Sequence, residues 1–194
     1  MCRIRFVIVQ FNWLLAGAFS FVLLFLSVTE TMSSDWTERE FARFRLLSAS
    51  NAIDPLDRVL VALEVELKPG WQFYHPNPGK FGVAPKFDWS GSQNLKKATL
   101  HWPPPTQFSY SLNPPVTTTG YKGSLLLPMT LTVEEKNDEC EIWLQVEYAV
   151  CKEFCVTDDI RLSLFLPPDS AIVNEQAERI RRALELATRS KALN

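Results

Sequence analysis

The chain has 194 residues, with 20 basic and 22 acidic side chains and a formal net charge of −2. A near-neutral balance without a basic stripe excludes a nucleic-acid binder as the first expectation, and the length suits one domain with its own core rather than two. Four cysteines and two histidines leave few side chains on which redox or soft-metal chemistry could rest.

The first element is a leader. Arg3 and Arg5 precede an apolar run from Phe6 to Val28, broken only by Gln10 and Asn12, and the polar Thr29-Glu30-Thr31 follows. This order predicts a signal peptide or an uncleaved N-terminal membrane anchor over residues 1–34, with membrane contact through residues 6–28. Ser27-Val28-Thr29 is a weak cleavage candidate, so both forms stay open. Cys2 precedes the run and lies outside the mature fold. The leader holds Arg3, Arg5 and Glu30, so the roughly 160 residues beyond it carry 18 basic and 21 acidic side chains, an ordinary soluble surface.

Residues 35–54 form an N-terminal extension in which Asp35 to Leu47, mixed and polar, suits a short helix. Strict alternation begins at Arg58: Val59, Val61, Leu63, Val65 and Leu67 take one side of a strand, Glu64 and Glu66 the other. Pro69-Gly70 ends it. Trp71 to His75, Lys86 to Trp89 and Leu95 to Trp102 are short strand candidates, separated by Pro- and Gly-rich breaks. Ser124 to Val133 is another strand, and its Pro128 suggests an edge or a bulge. Cys140 to Val150 alternates well, with Ile142, Leu144, Val146, Tyr148 and Val150 on one face. Ile160 to Leu166 supplies the last strand. Many short strands rich in Pro and aromatics predict a mainly β chain, an antiparallel sandwich over residues 55–168. Beyond Pro167-Pro168, Asp169 or Ser170 can cap an amphipathic helix from about Ala171 to Ser190, within a C-terminal segment 169–194. Its stripe is Val173, Ala177, Ile180, Leu184 and Ala187. Packing on the sandwich is the plain expectation; a partner or membrane-surface role is the other.

The chemistry centres on Cys151-Lys152-Glu153-Phe154-Cys155. Two cysteines this close can pair if a turn follows the strand. Cys140 and Cys151 would stand on the order of 35 Å apart along one extended strand, at about 3.3 Å per residue, and cannot. A disulfide closing so small a loop contributes only about 2 kcal/mol in the chain-entropy treatment, which mildly favours redox use over a structural staple. Lys152 favours a thiolate and Glu153 opposes it. Spacing alone leaves both uses open. Cys140 shares parity with the apolar face and reads as a buried, inert thiol.

Five segments in order carry a resemblance. They are Gly70-Trp71-Gln72-Phe73-Tyr74-His75-Pro76-Asn77-Pro78-Gly79, Ala84-Pro85-Lys86-Phe87-Asp88-Trp89, Trp102-Pro103-Pro104-Pro105, Gly120-Tyr121-Lys122-Gly123 with Leu126-Leu127-Pro128, and Tyr148-Ala149-Val150-Cys151-Lys152-Glu153-Phe154-Cys155-Val156. Together they resemble the N-terminal periplasmic domain of the DsbD/ScsB thiol:disulfide interchange family, over roughly residues 55–167. The resemblance implies an immunoglobulin-like sandwich. It also implies a periplasmic location and a relay of electrons from a membrane reductase to periplasmic disulfide proteins, including supply to cytochrome c-type biogenesis. On it, the chain is expected to be a protein-disulfide reductase or interchange component that uses Cys151 and Cys155 and needs no cofactor or metal. Cys155 would exchange with partners and Cys151 would resolve. Tyr74, Tyr121 and Phe154 would surround the pair, and the segment Asn113 to Gly120 would form a loop capping it. Thr157 stands where family members often carry Pro, and Cys140 is outside the pattern. The family's membrane and thioredoxin-like domains are not found in this sequence, so the domain is expected to exchange with separate periplasmic or membrane-bound thiol–disulfide proteins.

Two other classes fit the residues. Cys151 and Cys155 with His75 or His101 could bind Cu(I), which favours soft thiolates. Alternatively the domain is a non-enzymatic immunoglobulin-like interaction module with an inert disulfide.

Overall fold

The computed structural model describes residues 33–53, 57–110 and 115–192. Residues 1–32 of the predicted signal or anchor fall outside them, while Ser33 and Ser34 run alongside Leu47 and Leu46. Among the described residues no helix is long and apolar enough to cross a membrane. In chain order the strands are β1 (Thr37–Glu38), β2 (Ala42–Ser48), β3 (Arg58–Leu67), β4 (Gln72–Tyr74), β5 (Lys86–Asp88), β6 (Leu95–Leu100), β7 (Thr106–Tyr110), β8 (Val116–Lys122), β9 (Ser124–Val133), β10 (Cys140–Cys151) and β11 (Cys155–Leu166), and one helix follows, α1 (Gln176–Ala192). One antiparallel sheet runs β1-β2-β3-β9-β6; the other runs β11-β10-β4-β8-β7, with β5 also alongside β10. The chain is therefore a mainly β, immunoglobulin-like sandwich with a C-terminal helix.

Alternation builds the core. Val61, Leu63 and Val65 of β3, Leu127, Met129 and Leu131 of β9, and Ile142, Leu144 and Val146 of β10 all lie between the sheets, with Phe44, Phe73 and Ile160. Each such side chain contributes roughly 1.5–3 kcal/mol by leaving water. The expected helix over Asp35 to Leu47 is instead β1 and β2. Phe44 and Leu46 point inward, while Arg43 and Arg45 point outward to Glu66 and Glu64 of β3. The carboxylates that neutralise this strand lie on another segment, so it reads as polar in isolation. The extension thus supplies two strands of the first sheet.

Pro128 does not mark an edge. β9 is flanked by β3 and β6. The Pro128 carbonyl accepts from the His101 N–H at 2.9 Å, one residue past the end of β6. In an antiparallel ladder a residue's N–H and C=O face the same neighbour, so the missing donor falls where β6 has already ended. The cap of α1 is also displaced. Asn174 accepts from the Gln176 N–H at 2.9 Å through its side chain, and neither Asp169 nor Ser170 fills that role. Val173 is exposed rather than part of the packed stripe. The helix lays Ala177 and Ile180 on Leu47, Ala49 and Ala62, on the outer face of the first sheet.

Candidate functional site

The disulfide sits at the tip of the β10–β11 hairpin. Twelve residues of each strand are in register, from Cys140↔Leu166 to Cys151↔Cys155. Parity sends Val150 into the core and Cys151 and Cys155 to the outer face of the second sheet. As directly opposed residues they have Cα atoms 4.1 Å apart and are bonded to each other. Their burial differs: Cys151 is 4% exposed, whereas Cys155 is open to solvent. Cys140 lies at the opposite end of β10 in the core, a free thiol whose pKa burial pushes up to about 11.

β4 forms the wall beside the pair. Gln72 registers with Cys151 and Phe73 with Val150. Phe73 therefore joins the core, and Gln72 and Tyr74 share the face of the cysteines. The Tyr74 hydroxyl is 3.8 Å from the Cys155 sulfur, and its ring closes a small buried cluster with Ala149 and Cys151. Burial raises the Tyr74 pKa, with a smaller opposing effect from Gln72, so the phenol stays a donor. Gln72 has no solvent exposure. Its amide donates to Thr118 Oγ1 at 3.1 Å and its carbonyl oxygen accepts from the Tyr110 hydroxyl at 2.8 Å. Gly120 permits this arrangement, because a Cβ there would come within 2.2 Å of the Phe73 carbonyl oxygen.

The expected capping loop over 113–120 is corrected in part. Residues 116–120 belong to β8, paired with both β4 and β7; residues 113 and 114 lie outside the described residues. What the structure places beside the pair is the paired strands β7 and β8. Their Tyr110, Val116 and Thr118 join Tyr74, Phe81 and the two cysteines around a cavity of about 170 Å³. A broader groove of about 450 Å³, lined by Val83, Lys86, Glu147 and Asp158 among others, contains neither cysteine.

Of the other residues expected around the pair, Phe154 is there and Tyr121 is not. Phe154 is 59% exposed, in the loop between the cysteines, with its ring edge-on to Trp71. Tyr121 points to the core side of β8, where it donates to the Pro103 carbonyl at 2.8 Å and stacks on Trp102. His75 meets the same two rings, on the side of β4 opposite Tyr74, and its Nδ1 accepts from the Asn77 N–H. His101 lies against Thr130. Among the described residues no three metal-ligating groups gather, so the geometry gives the copper reading no histidine at the pair. Sequence reasoning missed Gln72 and Tyr110. Only the outward parity of Gln72 beside Phe73 could have marked it.

The profile of the family described as thiol:disulfide interchange protein DsbD, N-terminal, matches residues 43–167. Among solved structures, the N-terminal periplasmic domain of ScsB from Proteus mirabilis is similar at 24% identity and a TM-score of 0.63, covering 80% of this chain and 59% of that one. The chain thus spans under two thirds of that protein's solved length. The Neisseria meningitidis DsbD N-terminal domain in its reduced form aligns at 10% identity and a TM-score of 0.34, over 68% of this chain and 90% of that one. The GAE domain of yeast GGA1 aligns at 6% and 0.36, over 69% and 98%. No curated protein matches the chain.

Proposed function

Because the chain belongs to the family of DsbD N-terminal domains, we propose that it carries out thiol–disulfide exchange in the periplasm, passing electrons between a membrane-bound reductase and periplasmic disulfide proteins through Cys151 and Cys155. The observation that carries this reading is the unequal burial of one bonded pair: Cys155 open to a partner, Cys151 held in the sheet. In the reduced domain the Cys155 thiolate attacks a partner disulfide, forming a mixed disulfide and releasing one partner thiolate. Cys151, once deprotonated, attacks the Cys155 sulfur, closes the internal disulfide and releases the second partner thiolate. The two protons end on the partner thiols, and two electrons have moved to the partner. A dithiol donor reverses these steps and restores the pair.

Trapping tests the assignment. Cys151→Ala should leave Cys155 in a long-lived mixed disulfide with a periplasmic protein on non-reducing gels, and Cys155→Ala should trap much less. A better trap with Cys155→Ala reverses the two roles; no adduct with either variant rejects exchange with partners. An inert staple would also show itself by a reduction potential below about −300 mV, the usual range of structural disulfides.

A further inference from the structure

Phe41 lies ahead of the matched region 43–167, in the turn between β1 and β2, yet it reaches the redox hairpin. Its ring stacks on Trp71 with 3.8 Å between centroids and 16° between planes. Both rings meet Phe154 edge-on, at 6.3 Å from Phe41 and 5.3 Å from Trp71. Two ties fix the turn in place. The Phe41 carbonyl accepts from the Lys68 N–H at 2.9 Å, and Arg39 bonds the Asp158 carboxylate and the Asp159 carbonyl on β11, each at 3.2 Å. Phe154 is one of three residues between the cysteines, so what holds Phe154 holds the loop that sets their separation.

We propose that Phe41 is a positioning residue for the cysteine pair: stacked on Trp71, it clamps Phe154 and keeps the Cys151–Cys155 hairpin closed when the pair is reduced. In the oxidised state the S–S bond does this by itself. After reduction, Cys151↔Cys155 is the last rung of its ladder, and terminal rungs open most readily. A closed rung keeps the two thiols opposed and raises the effective concentration of one against the other, which favours re-formation of the disulfide. The clamp therefore shifts the equilibrium toward the oxidised form. The inference rests on the pair being redox-active, but not on any partner protein.

Equilibration with glutathione tests it. Two glutathione thiols reduce the protein disulfide to a dithiol and leave as one glutathione disulfide, so two electrons and two protons enter the protein. Phe41→Leu and Phe154→Ala should each lower the constant for disulfide formation by about threefold to tenfold, a tenfold change being about 29.6 mV. The double variant should shift little beyond the larger single effect, because both remove one clamp. Phe41→Tyr, which keeps the stack, should restore the native constant. Ile180→Ala, at the remote helix–sheet contact, should lower thermal stability and leave the constant unchanged. The proposal fails if the Phe41→Leu and Phe154→Ala constants stay within about 1.5-fold of native, if Ile180→Ala shifts it equally, or if Phe41→Tyr behaves as Phe41→Leu does. Should Phe41→Leu not fold, the exposed Phe154 still decides: an unchanged constant in Phe154→Ala overturns the clamp.

Discussion

Gln72 stands directly across the ladder from Cys151, and its buried side chain is held on both sides, by Tyr110 and by Thr118. A buried amide is costly unless its hydrogen bonds are made. Here they tie the β7–β8 hairpin to the strand that backs the disulfide. The cavity beside the cysteines is therefore shaped by a polar network as well as by packing.

Breaking that network should cost stability in a graded way. Tyr110→Phe is expected to lower the unfolding free energy by about 1 kcal/mol, the usual worth of one hydrogen bond. Gln72→Ala should cost about 2–4 kcal/mol, because it leaves two hydroxyls without their partner and opens a void. Urea denaturation measures both. A Gln72→Ala loss under about 0.5 kcal/mol would show that the network contributes little to stability.

The legible parts of the fold are those where one segment carries its own signal. β3, β9 and β10 alternate because one face meets the core and the other meets water or polar partners. The cysteine pair was legible because both sulfurs lie within one hairpin. β2 was not, since its arginines are matched by carboxylates on β3. β7 and β8 were hidden by prolines, threonines and a register that buries Thr118. Gln72 looked like a solvated residue, because local pattern cannot tell an outward position that is covered from one that is not. Phe41 reaches the site only through a turn whose place depends on the whole sandwich.

Cys140 should stay silent in exchange. Its thiol is fully buried and its pKa is pushed up to about 11 by desolvation, so little thiolate exists at neutral pH. In the reduced native protein at pH 8, iodoacetamide should modify the exposed Cys155 first and reach Cys140 only after denaturant is added. Cys140→Ala should leave mixed-disulfide trapping unchanged. Rapid native-state labelling of Cys140 by mass spectrometry would contradict the inert assignment.

The helix should loosen in acid. Burial pushes the Glu64 pKa up, but hydrogen bonds and charge from Arg179 of α1 and Arg45 of β2 outweigh it, and the net shift is downward. A depressed folded pKa gives stability that is present above the unfolded value of 4.5 and is lost as pH falls through the folded value. Glu64→Gln should therefore cost about 1–3 kcal/mol at pH 7, less than a fully buried pair because Arg179 is half exposed. The same variant should flatten the dependence of stability on pH below about 4.5. Thermal unfolding across pH 3–7 checks this; equal slopes for the variant and the native protein would assign the acid response to other groups.

Tyr74 should set how readily Cys155 becomes a nucleophile. Its hydroxyl is within hydrogen-bonding range of the Cys155 sulfur, and burial keeps the phenol protonated. On reduction it can donate to the Cys155 thiolate, and hydrogen bonding to the charged form favours that form. The hydroxyl contact is to the Cys155 sulfur, whereas Cys151 packs in the buried cluster with Tyr74 and Ala149, so the effect should fall on Cys155 more than on its partner. Tyr74→Phe keeps the ring and removes the donor. The pH midpoint for alkylation of Cys155 should move upward, measured in a Cys151→Ala background. The rate at pH 7 should drop by about threefold or more, as expected for losing a hydrogen bond of roughly 1 kcal/mol. The limiting rate at high pH should change little, because the thiolate itself is then fully formed. An unchanged midpoint would mean that the 3.8 Å contact is packing alone, and would leave the exposure of Cys155 as the basis of its role.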